Sequence, residues 1–395
     1  MTDSASSSDD SAREQLPRHG LVCVVGARPN FMKIAPIWRA LSERLELPLS
    51  LVHTGQHYDA SMKETFFRQL EIPEPDVDLG VGSGSHAQQT AEIMLRFEPI
   101  IAHCQPRAIL VVGDVNSTVA CALVAAKLQT PVIHVEAGLR SRDRSMPEEI
   151  NRLLTDQLSD LLFTTERHAQ DNLTAEGIDA AKICFVGNVM IDNLKRQQPK
   201  AIAFQDTLQH YGREAVSARC RESGYAALTL HRPANVDAPA VLEELLGTLR
   251  QVSERLPILF PVHPRTQAAL QRAGQWHALD QDPGIITLPA LGYFEMLGLM
   301  QSARLVLTDS GGVQEETTAL GVPCLTLRDN TERPITIDAG TNTLVRRDRP
   351  TILASVDDIL QTGGKRGRIP EYWDGHAAAR IAARIHSWLG AINHG

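Results

Sequence analysis

The amino-acid sequence predicts an α/β protein of two Rossmann-like, doubly wound domains. Three observations lead to this prediction: short apolar runs alternate with helix-length segments, the alternation resumes after a polar break, and the chain has 395 residues. Alternating strands and helices form parallel sheets that are covered by helices. A chain of this length favours two domains of just under about 200 residues each, and two domains imply a central cleft.

In the first half, short apolar runs predict buried strands and the longer segments between them predict helices. The predicted strands are residues 21–25, 49–52, 108–112, 131–135 and 161–164. The predicted helices are residues 31–45, 59–70, 92–103, 117–128 and 148–158. These βαβ units predict one parallel sheet.

The same alternation returns from Ala226 onward. The predicted strands are residues 226–230, 258–262, 285–288, 305–308 and 323–327. The predicted helices are residues 238–255, 293–303 and 313–320. The second half is therefore expected to form its own Rossmann-like domain.

The domain boundary is predicted between Gly187 and about Ala203, because residues 195–200 are polar and include a proline. The first residues are rich in Ser, Asp and Arg, which is typical of disorder. The expected organisation is a disordered tail at 1–19, a first domain at 20–190, a second domain at 205–370, and a C-terminal helix within 371–395 that packs on the first domain.

Composition narrows the class of protein. A net charge of −8 argues against a nucleic-acid-binding protein. The six cysteines form no CxxC pair and no metal-ligand spacing, so we expect reduced thiols and no metal site. An apolar signal-peptide core is absent from the N-terminal residues, and no apolar stretch reaches the about 18 residues that span a bilayer. The sequence therefore predicts a cytoplasmic enzyme that does not associate with membranes.

Three carboxylates follow predicted strands of the first half. Glu136 comes directly after strand 131–135, Asp114 follows strand 108–112, and Glu148 lies on the next loop. Ligands of open α/β sheets lie outside the carboxyl ends of the strands. Proximity and burial drive the pKa values of clustered carboxylates apart, which suits proton transfer. The alternative for Asp114 is a helix cap or turn residue.

The loop after the first strand carries two cations, Arg28 and Lys33. It stands where a dinucleotide-binding loop would, but it lacks GxGxxG, so NAD is disfavoured as a cofactor. We expect the loop to bring positive charge to a ligand. The alternative is a pair of solvated side chains.

A second candidate site follows strand 305–308. There a Ser-Gly-Gly loop opens a helix, and backbone N–H groups at a helix N-terminus bind anions. Glu315 and Glu316, one turn into the helix, are candidates to accept hydrogen bonds from sugar hydroxyls, and Arg333 is a candidate second anion contact. The alternative is an ordinary cap with acidic first-turn residues. The loop residues expected to bind a nucleotide are Ser310, Gly311 and Gly312.

Two histidines follow strands of the second half. His231 and Arg232 come after strand 226–230, and His263 comes after strand 258–262. A histidine is the side chain best suited to act as an acid near neutral pH. The alternative for each is a structural role.

These residues belong to ten motifs that resemble, in order, the non-hydrolysing UDP-N-acetylglucosamine 2-epimerases over nearly all of residues 21–390. The motifs are Gly26-Ala-Arg-Pro with Lys33, Thr54-Gly-Gln-His, Gly113-Asp, Val135-Glu-Ala-Gly-Leu-Arg, Pro147-Glu-Glu-Ile-Asn-Arg, Gly187-Asn, His231-Arg, Pro261-Val-His, Asp309-Ser-Gly-Gly-Val-Gln-Glu-Glu and Arg328-Asp-Asn-Thr-Glu-Arg-Pro. The resemblance implies a GT-B-type fold, a UDP-sugar substrate, no cofactor and a homodimer.

The resemblance also implies a reaction in which the C2 proton is removed as UDP leaves C1, giving a 2-acetamidoglucal. Return of the proton to the opposite face and of UDP to C1 converts UDP-GlcNAc to UDP-ManNAc. Roles implied for this chain are Asp114 and Glu148 as C2 acid and base, Glu136 as their support, His231 as an aid to UDP departure, Glu316 on the ribose, and Arg28 and Lys33 near the diphosphate or sugar.

The sequence departs from many bacterial members at two points. Pro233 follows the His-Arg pair, and Gly80 begins a stretch where those members are basic. In those bacterial members, Gln and Arg residues near these points help to hold a second, activating UDP-sugar. Gln56 and His57, the candidates for such a second site, are retained here together with Arg232, but the basic partner is missing. The resemblance therefore does not imply activation by substrate. At these two points the sequence resembles branches of the family that act on modified sugars such as UDP-2,3-diacetamido-glucuronic acid. The remaining alternatives are a GT-B glycosyltransferase, a hydrolysing epimerase and an inert UDP-sugar-binding protein.

Overall fold

The structure is a computed structural model that describes residues 16–55, 67 and 70–392, with the side chains of Arg28 and Ile392 left out. The described chain divides into two compact units. The first comprises residues 16–193 with 371–392, and the second comprises residues 194–370.

Within the described residues, the first unit contains a parallel sheet of seven strands in the order β3-β2-β1-β4-β5-β6-β7. The strands are β1 (Leu21–Val25), β2 (Leu49–His53), β3 (Val77–Asp78), β4 (Ala108–Val112), β5 (Val132–Val135), β6 (Leu161–Thr164) and β7 (Ile183–Phe185). The helices are α1 (Arg28–Arg44), α2 (His86–Cys104), α3 (Asn116–Lys127), α4 (Pro147–Leu158), α5 (Arg167–Ala175) and α6 (Val189–Gln197). The strand order reverses between β1 and β4, which is where ligands bind in such sheets.

The second unit contains a parallel sheet of six strands in the order β10-β9-β8-β11-β12-β13. The strands are β8 (Ala226–Thr229), β9 (Ile258–Pro261), β10 (Ile285–Leu288), β11 (Leu305–Thr308), β12 (Cys324–Thr326) and β13 (Asn342–Leu344). The helices are α7 (Phe204–His210), α8 (Ser217–Ser223), α9 (Pro233–Val236), α10 (Pro239–Ser253), α11 (Pro264–Arg272), α12 (Trp276–Asp280), α13 (Tyr293–Gln301), α14 (Gly311–Leu320), α15 (Pro334–Asp338) and α16 (Arg349–Thr362). Here the order reverses between β8 and β11.

The predicted α/β class with doubly wound parallel sheets is confirmed. Every residue of β1 and of β4 is buried, because helices cover both faces of a parallel sheet. This double burial explains why the strands read as continuous apolar runs. The sequence did not predict β3, β7 and β13, which have only two or three residues each.

Two helices of the first unit begin earlier than predicted, because the residues at their N-termini favour an earlier start. Helix α1 begins at Arg28, before the predicted residue 31, with Pro29 in its first turn, where a missing N–H is tolerated. Helix α2 begins at His86, before the predicted residue 92, because Ser85 and Gln88 form a capping box. The predicted helix 59–70 lies almost entirely outside the described residues.

The cysteines are unpaired and five of them are buried, whereas Cys184 is half-exposed. Burial raises the pKa of the Cys23 thiol to about 12. None of the described helices is long and apolar enough to cross a membrane.

The C-terminal helix α17 (Ala377–Ile392) packs on α1 of the first unit. Asp192 of α6 accepts hydrogen bonds from the backbone N–H groups of Ala377 at 3.1 Å and Ala378 at 2.7 Å. The indole of the buried Trp373 donates to the Thr165 carbonyl at 3.2 Å. These contacts attach the last segment of the chain to the carboxyl edge of the first sheet.

The attachment of α17 predicts a pH dependence of stability. Burial raises the pKa of Asp192 to about 6, against the two backbone hydrogen bonds that lower it. The folded state therefore binds the proton more tightly than the unfolded state, so this contribution to stability is lost as pH rises through about 6. From pH 5 to pH 7.5, the free energy of unfolding of the wild type should fall by about 1 kcal/mol more than that of Asp192→Asn.

Urea unfolding at both pH values measures this difference. Asp179→Asn is the matched control, since Asp179 caps a turn of the same unit at an exposed position. It should keep the wild-type pH dependence. Equal pH dependence in the wild type and Asp192→Asn would contradict the prediction.

Candidate active site

The carboxylates of the first unit lie at one edge of its sheet. Asp114 follows β4 and Glu136 follows β5, and these two strands pair directly. Glu148 lies in the first turn of α4. The structure gives each of the three carboxylates different surroundings, which decide what each can do.

Glu136 is buried and forms an ion pair with Lys33, whose side chain is also buried. Its backbone has φ of +74°, and its N–H and that of Ala137 both donate to the Phe163 carbonyl at 3.0 Å. A non-glycine residue in this conformation costs free energy and persists where neighbouring contacts enforce it, often at functional sites. Lys33 is therefore not the solvated cation of the alternative interpretation.

Gly113 makes room for this ion pair. It has φ of +69°, and a Cβ at this position would lie 2.8 Å from Lys33 Nζ and 3.5 Å from Glu136 Oε2. Glycine is the residue that adopts this backbone conformation without strain. The glycine before Asp114 is thus required both by the turn and by the buried pair beside it.

Asp114 is held by a buried arginine. Its Oδ2 accepts from Arg152 Nη1 at 2.5 Å, and its side chain is 25% exposed while that of Arg152 is 2% exposed. The N-cap of α3 is Val115, without a side-chain hydrogen bond, so the cap interpretation of Asp114 is wrong. A charge-assisted contact of this kind orients the carboxylate.

Glu149 anchors that arginine from the other side. Its Oε2 accepts from Arg152 Nη2 at 2.7 Å and Nε at 3.1 Å. The backbone N–H of Ser141 donates to Oε2 and that of Arg142 donates to Oε1, both at 2.9 Å. Burial opposes its ionisation, but these hydrogen bonds lower the pKa of Glu149 overall. Glu149 is a structural carboxylate whose partners leave it little freedom to transfer protons.

Glu148 has the opposite environment. It is half-exposed, and in the part of the chain that the structure describes its carboxylate forms no hydrogen bond or ion pair. A carboxylate in this state is available to a substrate. Adjacent residues of α4 thus divide between a structural and an available carboxylate.

The loop after β1 does not offer its first N–H groups to a phosphate. Gly26 N and Ala27 N donate to Asn30 Oδ1 at 3.1 and 3.0 Å, and Asn30 Nδ2 donates to the Val112 carbonyl at 2.9 Å. This closed loop agrees with the absence of a GxGxxG motif. The side chain of Arg28 and the residues Gln56 and His57 lie outside what the structure describes.

The predicted nucleotide loop of the second unit is an open helix N-terminus. Ser310 is the N-cap of α14, and its side chain forms no capping hydrogen bond. Gly311 is buried, and a Cβ there would lie 2.8 Å from Glu332 Oε1. Gly312 follows in the first turn of the helix. This arrangement fits an anion at the positive end of the helix dipole.

Arginines and glutamates alternate beside this helix end. Glu332 is buried between Arg328, with Nη2 to Oε2 at 2.8 Å, and Arg232, with Nη2 to Oε1 at 3.8 Å. Burial opposes ionisation of Glu332, but Arg328 and Arg333 hold its pKa well below its usual range. Arg333 itself forms a buried ion pair with Glu315, Nε to Oε1, at 2.6 Å. Both Glu315, expected to meet a sugar, and Arg333, expected to meet an anion, already have a partner.

Glu316 is buried in the same helix. Tyr293 Oη donates to Glu316 Oε1 at 3.1 Å. The tyrosine orients a carboxylate one turn below the open helix end.

His231 is oriented by a buried aspartate that the sequence did not single out. His231 Nδ1 lies 3.0 Å from Asp309 Oδ1. Asp309 also accepts from the N–H groups of His231 at 2.9 Å and Arg232 at 2.8 Å, and from Asn235 Nδ2 at 3.1 Å. Burial opposes ionisation of Asp309, but the hydrogen bond with His231 lowers its pKa. The aspartate occupies Nδ1, so Nε2 is the ring nitrogen left for a ligand.

His263 has a structural role in this unit. Its Nδ1 accepts from Arg265 N at 3.2 Å and caps α11. Its ring lies 5.5 Å from that of His231, centroid to centroid. Across residues 16–55, 67 and 70–392, no cluster of three His, Cys, Asp or Glu side chains could hold a metal ion.

Comparison with known proteins identifies the family. The profile of the UDP-N-acetylglucosamine 2-epimerase family matches residues 39–386. A Pseudomonas aeruginosa protein named UDP-2,3-diacetamido-2,3-dideoxy-D-glucuronate 2-epimerase is 41% identical over 368 residues, covering 92% of this chain and 98% of that protein. A Methanocaldococcus jannaschii UDP-N-acetylglucosamine 2-epimerase is 39% identical over 363 residues, covering 91% of this chain and 97% of its own.

The fold agrees with this assignment. The crystal structure of the Methanocaldococcus jannaschii enzyme in complex with UDP-GlcNAc and UDP has a TM-score of 0.81, with 39% identity, and covers 93% of this chain and 99% of that chain. The predicted GT-B type, with two Rossmann-like domains, is confirmed. The chain belongs to the UDP-N-acetylglucosamine 2-epimerase family.

Proposed function

We propose that this protein catalyses reversible epimerisation at C2 of a UDP-N-acetylhexosamine, converting UDP-GlcNAc to UDP-ManNAc. One observation carries the proposal beyond family membership. Asp114 and the buried pair of Lys33 and Glu136 lie at one sheet edge, and Asp114 is held by Arg152 of α4. The available Glu148 precedes Arg152 by four residues on α4, so the two side chains share one face of that helix. Inversion at a carbon needs two acid-base groups, one for each face of the sugar ring.

The proposed reaction is an elimination followed by an addition. A carboxylate takes the C2 proton, the C–H electrons form the C1–C2 double bond, and the C1–O bond breaks with its electrons passing to UDP. The second carboxylic acid then returns a proton to the opposite face of C2, and UDP adds to C1. Asp114 and Glu148 are the proposed pair, Glu136 with Lys33 supports them, and His231 stabilises the charge on departing UDP.

The second unit is proposed to hold the nucleotide. The open end of α14 at Ser310, Gly311 and Gly312 suits the diphosphate, and Glu316 suits the ribose. Substrate contacts are also proposed for Arg28, Arg232, His263 and Arg333, and a second UDP-sugar contact for Gln56 and His57. We propose no cofactor, because the elimination needs only proton transfer and stabilisation of the leaving group.

A second substrate is favoured by one relative. The Pseudomonas aeruginosa protein is named for UDP-2,3-diacetamido-2,3-dideoxy-D-glucuronate. The same proton transfer at C2 applies to that sugar, whose differences lie at C3 and C6. The test must therefore compare UDP-sugars that differ in their substituents at C3 and C6.

The test is proton NMR of each UDP-sugar with the purified protein in D2O. Epimerisation predicts deuterium at C2 and a signal from the C2 epimer without accumulation of free UDP. Free UDP together with free ManNAc would indicate hydrolysis. Absence of C2 exchange with both sugars would exclude the proposed reaction, and transfer of the sugar to an added acceptor would instead support a glycosyltransferase.

We also propose a homodimer in the cytoplasm. Leu95 of α2 is 66% exposed, and Ile150 and Leu154 of α4 are 38% and 51% exposed. A second copy covering such apolar side chains would bury them. Sedimentation equilibrium tests the dimer, and a monomer at micromolar concentration would contradict it. Cell fractionation tests the location.

A further inference from the structure

A buried histidine joins the two strand ends that carry Asp114 and Glu136. His134 of β5 is fully buried, and its Nε2 lies 2.9 Å from the Gly113 carbonyl oxygen. The N–H of Gly113 donates in turn to the Val135 carbonyl at 3.0 Å. The backbone carbonyl and N–H of Gly113 are therefore both held by β5, through the adjacent residues His134 and Val135.

The other ring nitrogen of His134 reaches α4. Nδ1 lies 2.7 Å from Asp156 Oδ1, and Asp156 Oδ2 accepts from Gly138 N at 3.1 Å and from Arg140 Nη2 at 2.7 Å. A buried carboxylate with these partners is stabilised as an anion. The pair of His134 and Asp156 thus contacts the chain just before Asp114 and just after Glu136.

A carbonyl oxygen can only accept a hydrogen bond, so Nε2 of His134 must carry a hydrogen and donate it to Gly113. This hydrogen bond sets the plane of the peptide that leads from Gly113 into Asp114. Gly113 has φ of +69° and therefore no regular strand geometry that would fix this plane. Arg152 holds the Asp114 carboxylate, but the position of its Cα depends on the peptide before it.

We propose that His134 is a positioning residue for proton transfer at C2, acting through the Gly113 carbonyl on Asp114. This proposal rests on the proposed function. His134 has no side-chain exposure and therefore does not contact the substrate itself. Reactions that need a carboxylate close to a C–H bond lose rate when the carboxylate moves by as little as about 1 Å.

Two substitutions separate this role from the contribution of His134 to stability. His134→Gln places an amide donor near the position of Nε2, so it keeps the Gly113 hydrogen bond and loses the Asp156 partner. His134→Asn places its amide near Nδ1, so it keeps Asp156 and loses Gly113. We expect His134→Asn to lower kcat by about 10-fold or more with little change in KM, and His134→Gln to stay within about 3-fold of the wild type.

The order of the two variants should be reversed for the thermal midpoint. The Tm of His134→Gln should be lower than that of His134→Asn, because His134→Gln leaves the buried Asp156 carboxylate with one partner fewer. The readouts are C2 deuterium exchange with the UDP-sugar that the wild type epimerises, the Tm and the Kd for UDP. If His134→Gln, the variant with the lower Tm, also had the lower kcat, the positioning role would be overturned. Failure of the wild type to exchange with either sugar is a different result, which counts against the proposed function.

Glu176→Gln is the matched control at the solvent side of the same network, since Glu176 binds Arg140 through Oε1 at 2.8 Å and Oε2 at 2.6 Å. It should leave kcat unchanged. Should neither histidine variant fold, 15N NMR of the wild-type histidines decides the geometry. A slowly exchanging Nε2–H of His134 is expected, and a ring without that hydrogen would overturn the proposal.

Discussion

Substituting Asp114→Asn should lower the turnover of the UDP-sugar by about 10²-fold or more. The amide keeps the size of the side chain but cannot take or return the C2 proton. Arg152, 2% exposed, would lose its charged partner at 2.5 Å and keep Glu149 as a counter-charge. Initial rates of C2 deuterium exchange measure the effect, and UDP affinity should remain close to that of the wild type.

Asp160→Asn is the matched control for this substitution. Asp160 accepts from Val132 N at 3.0 Å at the amino end of β5, the opposite edge of the same sheet. It should reduce stability without reducing kcat. Glu148→Gln should lower turnover as strongly as Asp114→Asn, and near-normal rates in both variants would exclude the assignment of the acid-base pair.

The two variants also address which carboxylate serves which face of the ring. The variant that lacks the base for one epimer should lose exchange most when the reaction starts from that epimer. Exchange should therefore be measured from UDP-GlcNAc and from UDP-ManNAc. Equal losses from both starting sugars would mean that both groups are needed in each direction.

The backbone positions of the candidate site could be read from the sequence because they depend on local patterns. An apolar run followed by a polar residue marks the carboxyl end of a buried strand, and this placed Asp114 and Glu136 at the tips of β4 and β5. Glycine at position 113 marks a sharp turn. These features involve only neighbouring residues.

The partners of these residues could not be read in the same way. Arg152 reaches Asp114 across 38 positions of sequence and Asp309 reaches the backbone of His231 across 78 positions. Such pairs depend on how a helix packs against a sheet. The same holds for Glu148 and Glu149, which point about 100° apart around α4, so only the packing of that helix decides which one is buried.

The charge of a residue does not show which partners its side chain has in the folded protein. Arg333 is a candidate anion contact by position, but the structure pairs it with Glu315 at 2.6 Å. For Lys33 the sequence leaves a solvated side chain as the alternative, but the structure buries it against Glu136. The sequence shows where a cation stands along the chain, but not which carboxylate lies beside it.

Asp309→Asn should lower turnover by about 10²-fold through His231 alone. The amide can still accept the hydrogen bonds that Asp309 receives from the backbone of His231 at 2.9 Å and Arg232 at 2.8 Å. It cannot stabilise a positive charge on the ring, whose Nδ1 lies 3.0 Å from Asp309 Oδ1. Without that support, the imidazole would stabilise the negative charge that develops on departing UDP less well.

A double-mutant cycle with His231→Gln separates this effect from general damage to the second unit. If Asp309 acts through His231, the double variant should be no slower than His231→Gln, because the aspartate then has no ring to orient. Additive losses would show that Asp309 acts mainly by holding the loop between β8 and α9. Because Asn235 Nδ2 also contacts Asp309 at 3.1 Å, Asn235→Ala serves as the control for that loop: it should lower Tm and leave the coupling between Asp309 and His231 intact.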